Sequence, residues 1–191
     1  MEPVATAPRA PSEVEQTPQI ADFDAVVRQY WPRVFRYALA SLRDRDAAES
    51  LAQDCFLKAY QARAKFRGEA SLQTWLMQIA VNLVRDSLRN RRLRFWNRTR
   101  AAAPDFDLIS RSLAHRGTSP EGALLASERV AAVWSVVETL SERQRTVFLL
   151  RFVEDLDLLE IAAVTGLREG TVKGHLFRAL EAVRRQMGES Q

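Results

Sequence analysis

Apolar residues recur along most of this chain every three or four positions, which is the spacing of one helix face. From Phe23 to Leu42 this pattern predicts a helix, which Pro32 is expected to kink or to restart. A second helix is predicted to begin at an N-cap, Asp46, with Glu49 three residues later as the reciprocal acid. Because no convincing run of alternating apolar residues occurs, we predict an all-α fold.

The predicted helices form two groups separated by a stretch without periodicity. The first group ends with a helix over about 72–92, preceded by a loop over 66–70. Between 95 and 118 the apolar period is lost, which indicates a flexible linker. The predicted organisation is a disordered leader (1–20), a small helical domain (21–94), the linker (95–118) and a second small helical domain (119–187).

The second predicted domain contains the pattern of a helix-turn-helix. Ser141 and Gln144 form a capping box that begins one helix, and Gly166 supplies the positive φ that a tight turn requires. Ala163 is predicted to stand where two helices cross closely. Four apolar residues are then expected to form a small shared core: Ile161, Leu167, Val172 and Leu176.

The last predicted helix keeps a polar face that fits the major groove of DNA. Lys173 and Arg178 could reach phosphate or guanine, and Glu169 could accept a hydrogen bond from a cytosine amino group. His175 is expected to be neutral, although a role as a pH switch stays open. The alternative is a solvated face on two packed helices. The candidate DNA-reading residues are Arg168, Glu169, Thr171, Lys173, His175 and Arg178.

Positive charge is concentrated rather than large. The formal net charge is +4, yet the stretch 85–100 contains seven arginines and a single acid, Asp86. Such a block suits a polyanion, because each cation that neutralises a phosphate releases counterions. A solvated helix face is the alternative. Asn82, Asp86 and Arg89 are spaced to share one helix face in this region.

Several classes of protein fit the composition poorly. Cys55 is the only cysteine, so we expect a buried thiol, a reducing compartment and no zinc site, and no other metal or cofactor. No apolar run approaches the roughly 20 residues of a membrane span. The start of the chain lacks the basic and apolar stretches of a secretory signal. An enzyme is not expected, because no catalytic triad, metal-like carboxylate cluster or phosphate-binding glycine loop is found.

Two sets of motifs in this order resemble the two conserved domains of extracytoplasmic-function (ECF) sigma factors, members of the sigma-70 family. The resemblance covers 23–92 and 119–187, most of the chain outside leader and linker. The matching stretches are Gln53–Tyr60, Phe66–Gly68, Thr74–Leu76 and Ile79–Asn82 with Asp86 and Arg89, and then Leu140–Arg145 and Gly170–Lys173.

The resemblance implies a cytoplasmic transcription initiation factor that binds core RNA polymerase and promoter DNA. The second domain would read the duplex −35 element, the linker would run through the polymerase, and an anti-sigma factor would restrain the chain. Phe66 lies where the family has its base-capturing loop, although core packing is equally compatible with it. The implied polymerase-binding residues are Gln53, Asp54, Leu57 and Lys58. Those implied to bind the melted −10 element are Arg67, Asn82, Arg85, Asp86, Arg89 and Arg92.

A helix-turn-helix regulator that never melts DNA is the main alternative, but it would leave the first domain without a role. The sequence also departs from the family pattern. Ser50 replaces a usual acid, and Gly174 and His175 replace a common Ser-Arg pair. The run 154–157, before the helix-turn-helix, is unusually acidic. These departures leave the promoter sequence and the polymerase affinity open.

Overall fold

The structure, a computed structural model, describes residues 22–95 and 131–188, without the side chains of 91–95 and of residue 187. The predicted leader, the predicted linker after residue 95 and the predicted start of the second domain lie outside these ranges. Every regular element in the described ranges is helical, which confirms the all-α prediction. None of the described helices is long and apolar enough to cross a bilayer.

The first module consists of α1 (Phe23–Leu42), α2 (Arg45–Ala62) and α3 (Leu72–Phe95), with a short 3₁₀ turn at Arg63–Lys65. All three helices pack on one another. Tyr37, Cys55 and Leu76, one from each helix, are almost completely buried where the helices meet. This packing leaves the outer sides of α2 and α3 free to carry polar residues.

Pro32 was expected to kink or to restart the first helix, and the restart was wrong, because α1 is one helix from Phe23 to Leu42. Proline removes the hydrogen bond to the carbonyl four residues earlier, which weakens a helix at that point. Pro32 lies on the exposed side of α1. Val26 and Val34, on either side of it, are buried and anchor both halves of the helix to the same core.

The predicted N-cap of the second helix was also wrong by two residues. Asp44, not Asp46, caps α2, and its carboxylate accepts a hydrogen bond from the Ala47 amide at 3.0 Å. The helix begins earlier because Arg43 ends α1 in the left-handed region, at φ 56°, so that only two residues connect the helices. Asp46 lies in the first turn of α2, where its charge complements the helix dipole.

The second module consists of α4 (131–139), α5 (Glu142–Phe152), α6 (Leu158–Thr165) and α7 (Glu169–Gly188). The predicted capping box of Ser141 and Gln144 begins α5. A second capping box, between Asp157 and Glu160, begins α6 and was not predicted. Gly166 ends α6 at φ 70°, as expected for the turn of a helix-turn-helix.

The predicted core of the helix-turn-helix forms. Ile161 and Val172 are fully buried, and Leu167 and Leu176 are half-buried against them. Ala163, however, is exposed, so its predicted place at the helix crossing was wrong. Adjacent helix residues point about 100° apart, and its neighbour Ala162 is the alanine that packs against the core.

The two modules contact each other where α3 packs against α6 and α1 packs against α5, and the connection between α5 and α6 adds polar contacts to α1 and α3. At the centre of this contact Glu154 has no exposed surface. Arg36 Nε donates to Glu154 Oε1 at 3.1 Å, and Arg36 Nη2 donates to Oε2 at 3.2 Å. The Glu154 carbonyl accepts from Arg33 at 3.2 Å and from Gln73 at 3.0 Å.

Replacing Gly166 should destabilise the chain, because its backbone lies in the left-handed region that alanine avoids. We expect Gly166→Ala to lower the free energy of unfolding by about 1–2 kcal/mol. Gly170 is the matched control: it lies inside α7, and no atom lies within 4 Å of an added Cβ. Gly170→Ala should raise that energy by up to about 1 kcal/mol. Denaturant unfolding followed by circular dichroism measures both, and equal effects would contradict the assigned turn.

The charge state of Glu154 should make stability depend on pH. Burial raises the pKa of its carboxyl from 4.5 to about 7, against the opposing charges of Arg36 and Arg33. A raised pKa means that its stabilising contribution is complete below about 4.5 and is lost as pH rises through about 7. Glu154→Gln cannot titrate. The stability of the natural chain relative to this variant should therefore fall between pH 5 and pH 8 in calorimetry, whereas a constant difference would contradict the assignment.

Candidate nucleic-acid interface

The outer face of α2 carries the four residues predicted to bind polymerase. Gln53, Asp54, Leu57 and Lys58 are all exposed, whereas Cys55 and Phe56 between them are buried. The predicted separation of the two faces is therefore confirmed. Leu57 has 57% of its surface exposed, so this face presents an apolar side chain among its polar ones.

Tyr60 extends this face and was not predicted as part of it. It lies three residues after Leu57, on the same side of α2, and 46% of it is exposed. Its ring is held edge-on by Phe23, with centroids 5.2 Å apart, and the Arg63 guanidinium lies 3.7 Å from the ring centre. Leu57 and Tyr60 thus form an exposed apolar pair that the spacing alone could have revealed.

Cys55 has the inert, buried character expected of it. Its Sγ lies 3.6 Å from the Leu76 carbonyl oxygen, and burial raises the pKa of the thiol to about 12. The thiolate is the form that attacks electrophiles and binds metals. At neutral pH this thiol is therefore part of the core and not a reactive group.

The outer face of α3 carries a strip of four exposed polar residues, Asn82, Arg85, Asp86 and Arg89. Arg89 Nη2 donates to Asp86 Oδ1 at 3.0 Å, and Arg85 Nη1 lies 3.5 Å from Asn82 Oδ1. The structure thus brings together four of the residues predicted for the −10 element. The side chain of Arg92, the fifth predicted for α3, lies outside the described residues.

The loop before α3 is shaped by packing between two aromatic rings. Phe66 and Trp75 are half-buried, with ring centroids 5.0 Å apart. Phe66 therefore packs against the core, which is one of its two expected roles. Exposed Arg67 and Lys65 line a cavity of about 350 Å³ beside these rings, and Ala163 of the second module lines the same cavity.

The outer face of α7 carries the residues predicted to read duplex DNA. Arg168, Thr171, Lys173 and Arg178 are exposed, and Glu169 and His175 are half-buried. Lys173 Nζ lies 2.6 Å from Glu169 Oε1. An exposed pair one helix turn apart is worth only a few tenths of a kcal/mol, so DNA can compete for either side chain.

His175 lies at the edge of a second cavity, of about 500 Å³, between the modules. Arg143 of α5 and Arg85 of α3 also line it. Burial, Arg178 and Arg143 all lower the pKa of His175. The imidazole is therefore neutral at pH 7, as expected from the sequence. Its Nδ1 is buried without a hydrogen-bond partner among the described residues.

Family models match both modules. Residues 26–94 match sigma-70 region 2, and residues 131–183 match sigma-70 region 4. The RNA polymerase sigma-H factor of Pseudomonas aeruginosa is 34% identical over 162 residues, 84% of this chain and 83% of that protein. The ECF RNA polymerase sigma-E factor of Escherichia coli is 34% identical over 137 residues, 69% of each chain. This chain is an ECF sigma factor of the sigma-70 family.

Solved structures agree with this sigma factor in fold. The sigma factor RpoE of Bartonella quintana, solved with the anti-sigma factor NepR, has a TM-score of 0.66 at 22% identity. The match covers 89% of this chain and 99% of that one. CnrH, solved with the cytosolic domain of CnrY, has a TM-score of 0.61 at 22% identity, covering 88% and 89%.

As a sigma factor, the chain is a transcription initiation factor that directs RNA polymerase to promoters. Region 2 matches the first module, and region 4 matches the second. The alternative of a helix-turn-helix regulator is therefore not favoured, because it would account for only one of the two matches.

Arg143 is a residue of this sigma factor that sequence reasoning missed. It is exposed in the first turn of α5 and lines the same cavity as His175. A basic side chain beside the helix-turn-helix adds positive charge next to the face of α7 that is predicted to read DNA. Its position inside the Ser141 capping box was visible in the sequence, but its nearness to His175 depends on the packing of α5 against α7.

Proposed function

We propose that this sigma factor divides promoter recognition among three outer helix faces. The face of α2 binds core RNA polymerase, the face of α3 with its preceding loop captures the melted −10 strand, and the face of α7 reads the −35 duplex. The observation that carries the proposal is that each face is exposed and chemically distinct, while the opposite side of each helix is buried.

The α2 face suits a protein partner. Leu57 and Tyr60 offer apolar and aromatic area, and Gln53, Asp54 and Lys58 surround them with polar groups. An apolar centre with a polar rim is the usual anatomy of a protein interface, and aromatic anchors often dominate its binding energy. Tyr60 is held in place by Phe23 and Arg63, so little side-chain freedom is lost on binding.

The α3 face suits single-stranded DNA. Arg85 and Arg89 can follow the phosphates, while Asn82 and Asp86 offer amide and carboxylate groups to the edges of unpaired bases. Arg67, at the mouth of the cavity beside Phe66 and Trp75, adds a further cation where an extruded base would enter. Binding energy of this kind offsets the few kcal/mol that unstacking a base costs, without any covalent step.

The α7 face suits duplex DNA. The N-terminal half of the second helix of a helix-turn-helix enters the major groove. Here that half carries Arg168, Thr171, Lys173 and, one turn later, Arg178. No atom lies within 4 Å of a Cβ built on Gly170, so the backbone there is open to close approach by a phosphate.

We also propose for this chain the domain organisation and the partners expected from its sequence. The leader (1–20) and linker (95–118) flank a polymerase-binding and −10 domain (21–94), and the −35 domain follows (119–187). Promoter DNA and core polymerase are the principal partners, and the chain acts in the cytoplasm. Because RpoE of Bartonella quintana was solved with an anti-sigma factor, we propose that an anti-sigma factor restrains this chain too.

Asn82 and Asp86 should matter for strand opening and not for polymerase binding. Asn82→Ala with Asp86→Ala should impair open-complex formation, measured by permanganate reactivity of promoter thymines, and should leave affinity for core polymerase unchanged. The reciprocal control, Gln53→Ala with Asp54→Ala, should weaken that affinity instead. Loss of core binding by the first pair would assign it a structural role. Failure of the natural chain to give core polymerase any promoter preference would end the proposal.

Lys173 and Arg178 should contribute to recognition of the upstream element. Replacing either with alanine should cost about 1–3 kcal/mol for each specific base contact that is lost. Exposed Arg184, later in the same helix, is the matched control and should have a smaller effect. Binding of the holoenzyme to promoter and scrambled upstream duplexes measures this. An equal loss on both duplexes would mean that the two cations touch only phosphate.

A further inference from the structure

The outer face of α7 has a strip without side chains. Gly170 and Gly174 lie one turn apart on this strip, and Arg178 follows one turn later. Gly174 replaces a serine that is common in the family pattern. Glycine is the least favourable residue after proline inside a helix. A second glycine on this face therefore weakens α7 locally, and its surroundings show what the missing side chain makes possible.

The two glycines differ in what covers them. A Cβ built on Gly174 would lie 3.6 Å from Arg178 Nη2, whereas no atom lies within 4 Å of a Cβ built on Gly170. Gly174 is half-buried, and Gly170 is exposed. The side chain of Arg178 therefore lies back along α7 and covers the backbone at Gly174.

Helix geometry explains this direction of the Arg178 side chain. Long side chains of a helix lean toward its N-terminus, over the residue four positions earlier. Four residues span about 6 Å of helix. The Arg178 guanidinium therefore lies at the level of Gly174, nearer the end of α7 that is proposed to enter the major groove. Burial and then the charge of Arg178 lower the pKa of His175, which agrees with a guanidinium close to that neighbour of Gly174.

The donors of Arg178 are free, unlike the ammonium group of Lys173. Lys173 Nζ lies 2.6 Å from Glu169 Oε1. Arg178 is exposed, and it makes no hydrogen bond or ion pair with any residue that the structure describes. A planar guanidinium with free donors matches the adjacent O6 and N7 acceptors of guanine, a pair that distinguishes this base in the major groove.

The space over Gly174 determines how far back Arg178 can lie. A Cβ at 174 would make an ordinary contact at 3.6 Å, so alanine fits beside the guanidinium. A β-branched residue carries two further heavy atoms on a Cβ whose rotamers are restricted. Such a residue cannot turn both atoms away from the strip. It would therefore displace the guanidinium from the level of Gly174.

We propose that Gly174 is a positioning residue for promoter selection. It keeps the strip open so that Arg178 lies back along α7 and reads one guanine of the upstream element. Contacts to phosphate orient a protein on DNA, whereas contacts to base edges specify the sequence. Gly174 and Arg178 together thus set one base of the preferred promoter. This proposal deepens the proposed function and rests on it, since it assigns a base preference to the α7 face.

Holoenzyme assembled from the full chain and core polymerase tests this pair on promoter duplexes whose upstream element is randomised. Sequencing of the bound fraction gives the base preference at each position. We expect the natural chain to prefer guanine at one position by about 5- to 150-fold, as one bidentate base contact allows. Arg178→Ala and Gly174→Val should both lose that preference and keep those at other positions. Gly174→Ala should retain it.

A base analogue distinguishes a direct contact from a general weakening of binding. Replacing the selected guanine with 7-deazaguanine removes the N7 acceptor and keeps the base pair. The natural chain and Gly174→Ala should bind this duplex several-fold more weakly than the unmodified duplex. Arg178→Ala and Gly174→Val should bind the two duplexes equally, because no guanidinium reaches N7. Equal sensitivity of all four proteins to the analogue would contradict the positioning role.

Stability measurements and a matched substitution control for damage to α7. Valine favours a helix more than glycine does, and alanine more still, so neither substitution at 174 should lower the denaturant midpoint. Arg184→Val places the same β-branched side chain at an exposed position later in α7 and should leave the guanine preference unchanged. If Arg184→Val abolishes the preference as well, a perturbed helix is responsible and the proposal falls. Where Gly174→Val is less stable than the natural chain, Gly174→Leu, a stronger helix former, replaces it.

The remaining outcomes separate the positioning role from the proposed function. A guanine preference that survives in Gly174→Val overturns the positioning role, even where the natural chain selects promoters normally. Loss of the preference in Gly174→Ala as well as in Gly174→Val also overturns it, because alanine leaves room for the guanidinium. A natural chain without base preference at any upstream position would instead refute the proposed reading of duplex DNA by α7.

Discussion

A buried carboxylate needs hydrogen-bond donors in the protein in place of water. The donors to the Glu154 carboxylate belong to a different module, more than a hundred residues away in the chain. This contact joins the modules together with the packing of α3 against α6 and of α1 against α5. The planar fork of Arg36 accepts only a narrow set of positions for the two carboxylate oxygens.

The same helices serve the core and the function, because a helix separates its faces. On α2, Cys55 and Phe56 are buried while Leu57 and Lys58 are exposed. On α3, Leu76 and Val84 enter the core while Asp86 points outward. Each outer face is thus positioned by the packing of its inner face. Rigid support of this kind places binding groups more accurately than a loop would.

Local features of the fold could be predicted from the sequence, because they depend on neighbouring residues. The capping box of Ser141 and the turn at Gly166 are of this kind. The N-cap at Asp44 was missed because Asp44 and Asp46 are both suitable caps. Which of them caps α2 depends on where α1 ends, and the sequence does not show this. Ala163 was misplaced because a shift of one residue turns a side chain by about 100°.

The contacts between modules could not be predicted, because no local pattern encodes a partner more than a hundred residues away. The acidic run around Glu154 was visible in the sequence, but an acidic run is normally a solvated one. Its receptor was equally hidden, since Arg33 and Arg36 resemble ordinary surface arginines of an amphipathic helix. Only the folded structure shows that Glu154 and Arg36 are removed from solvent in one contact.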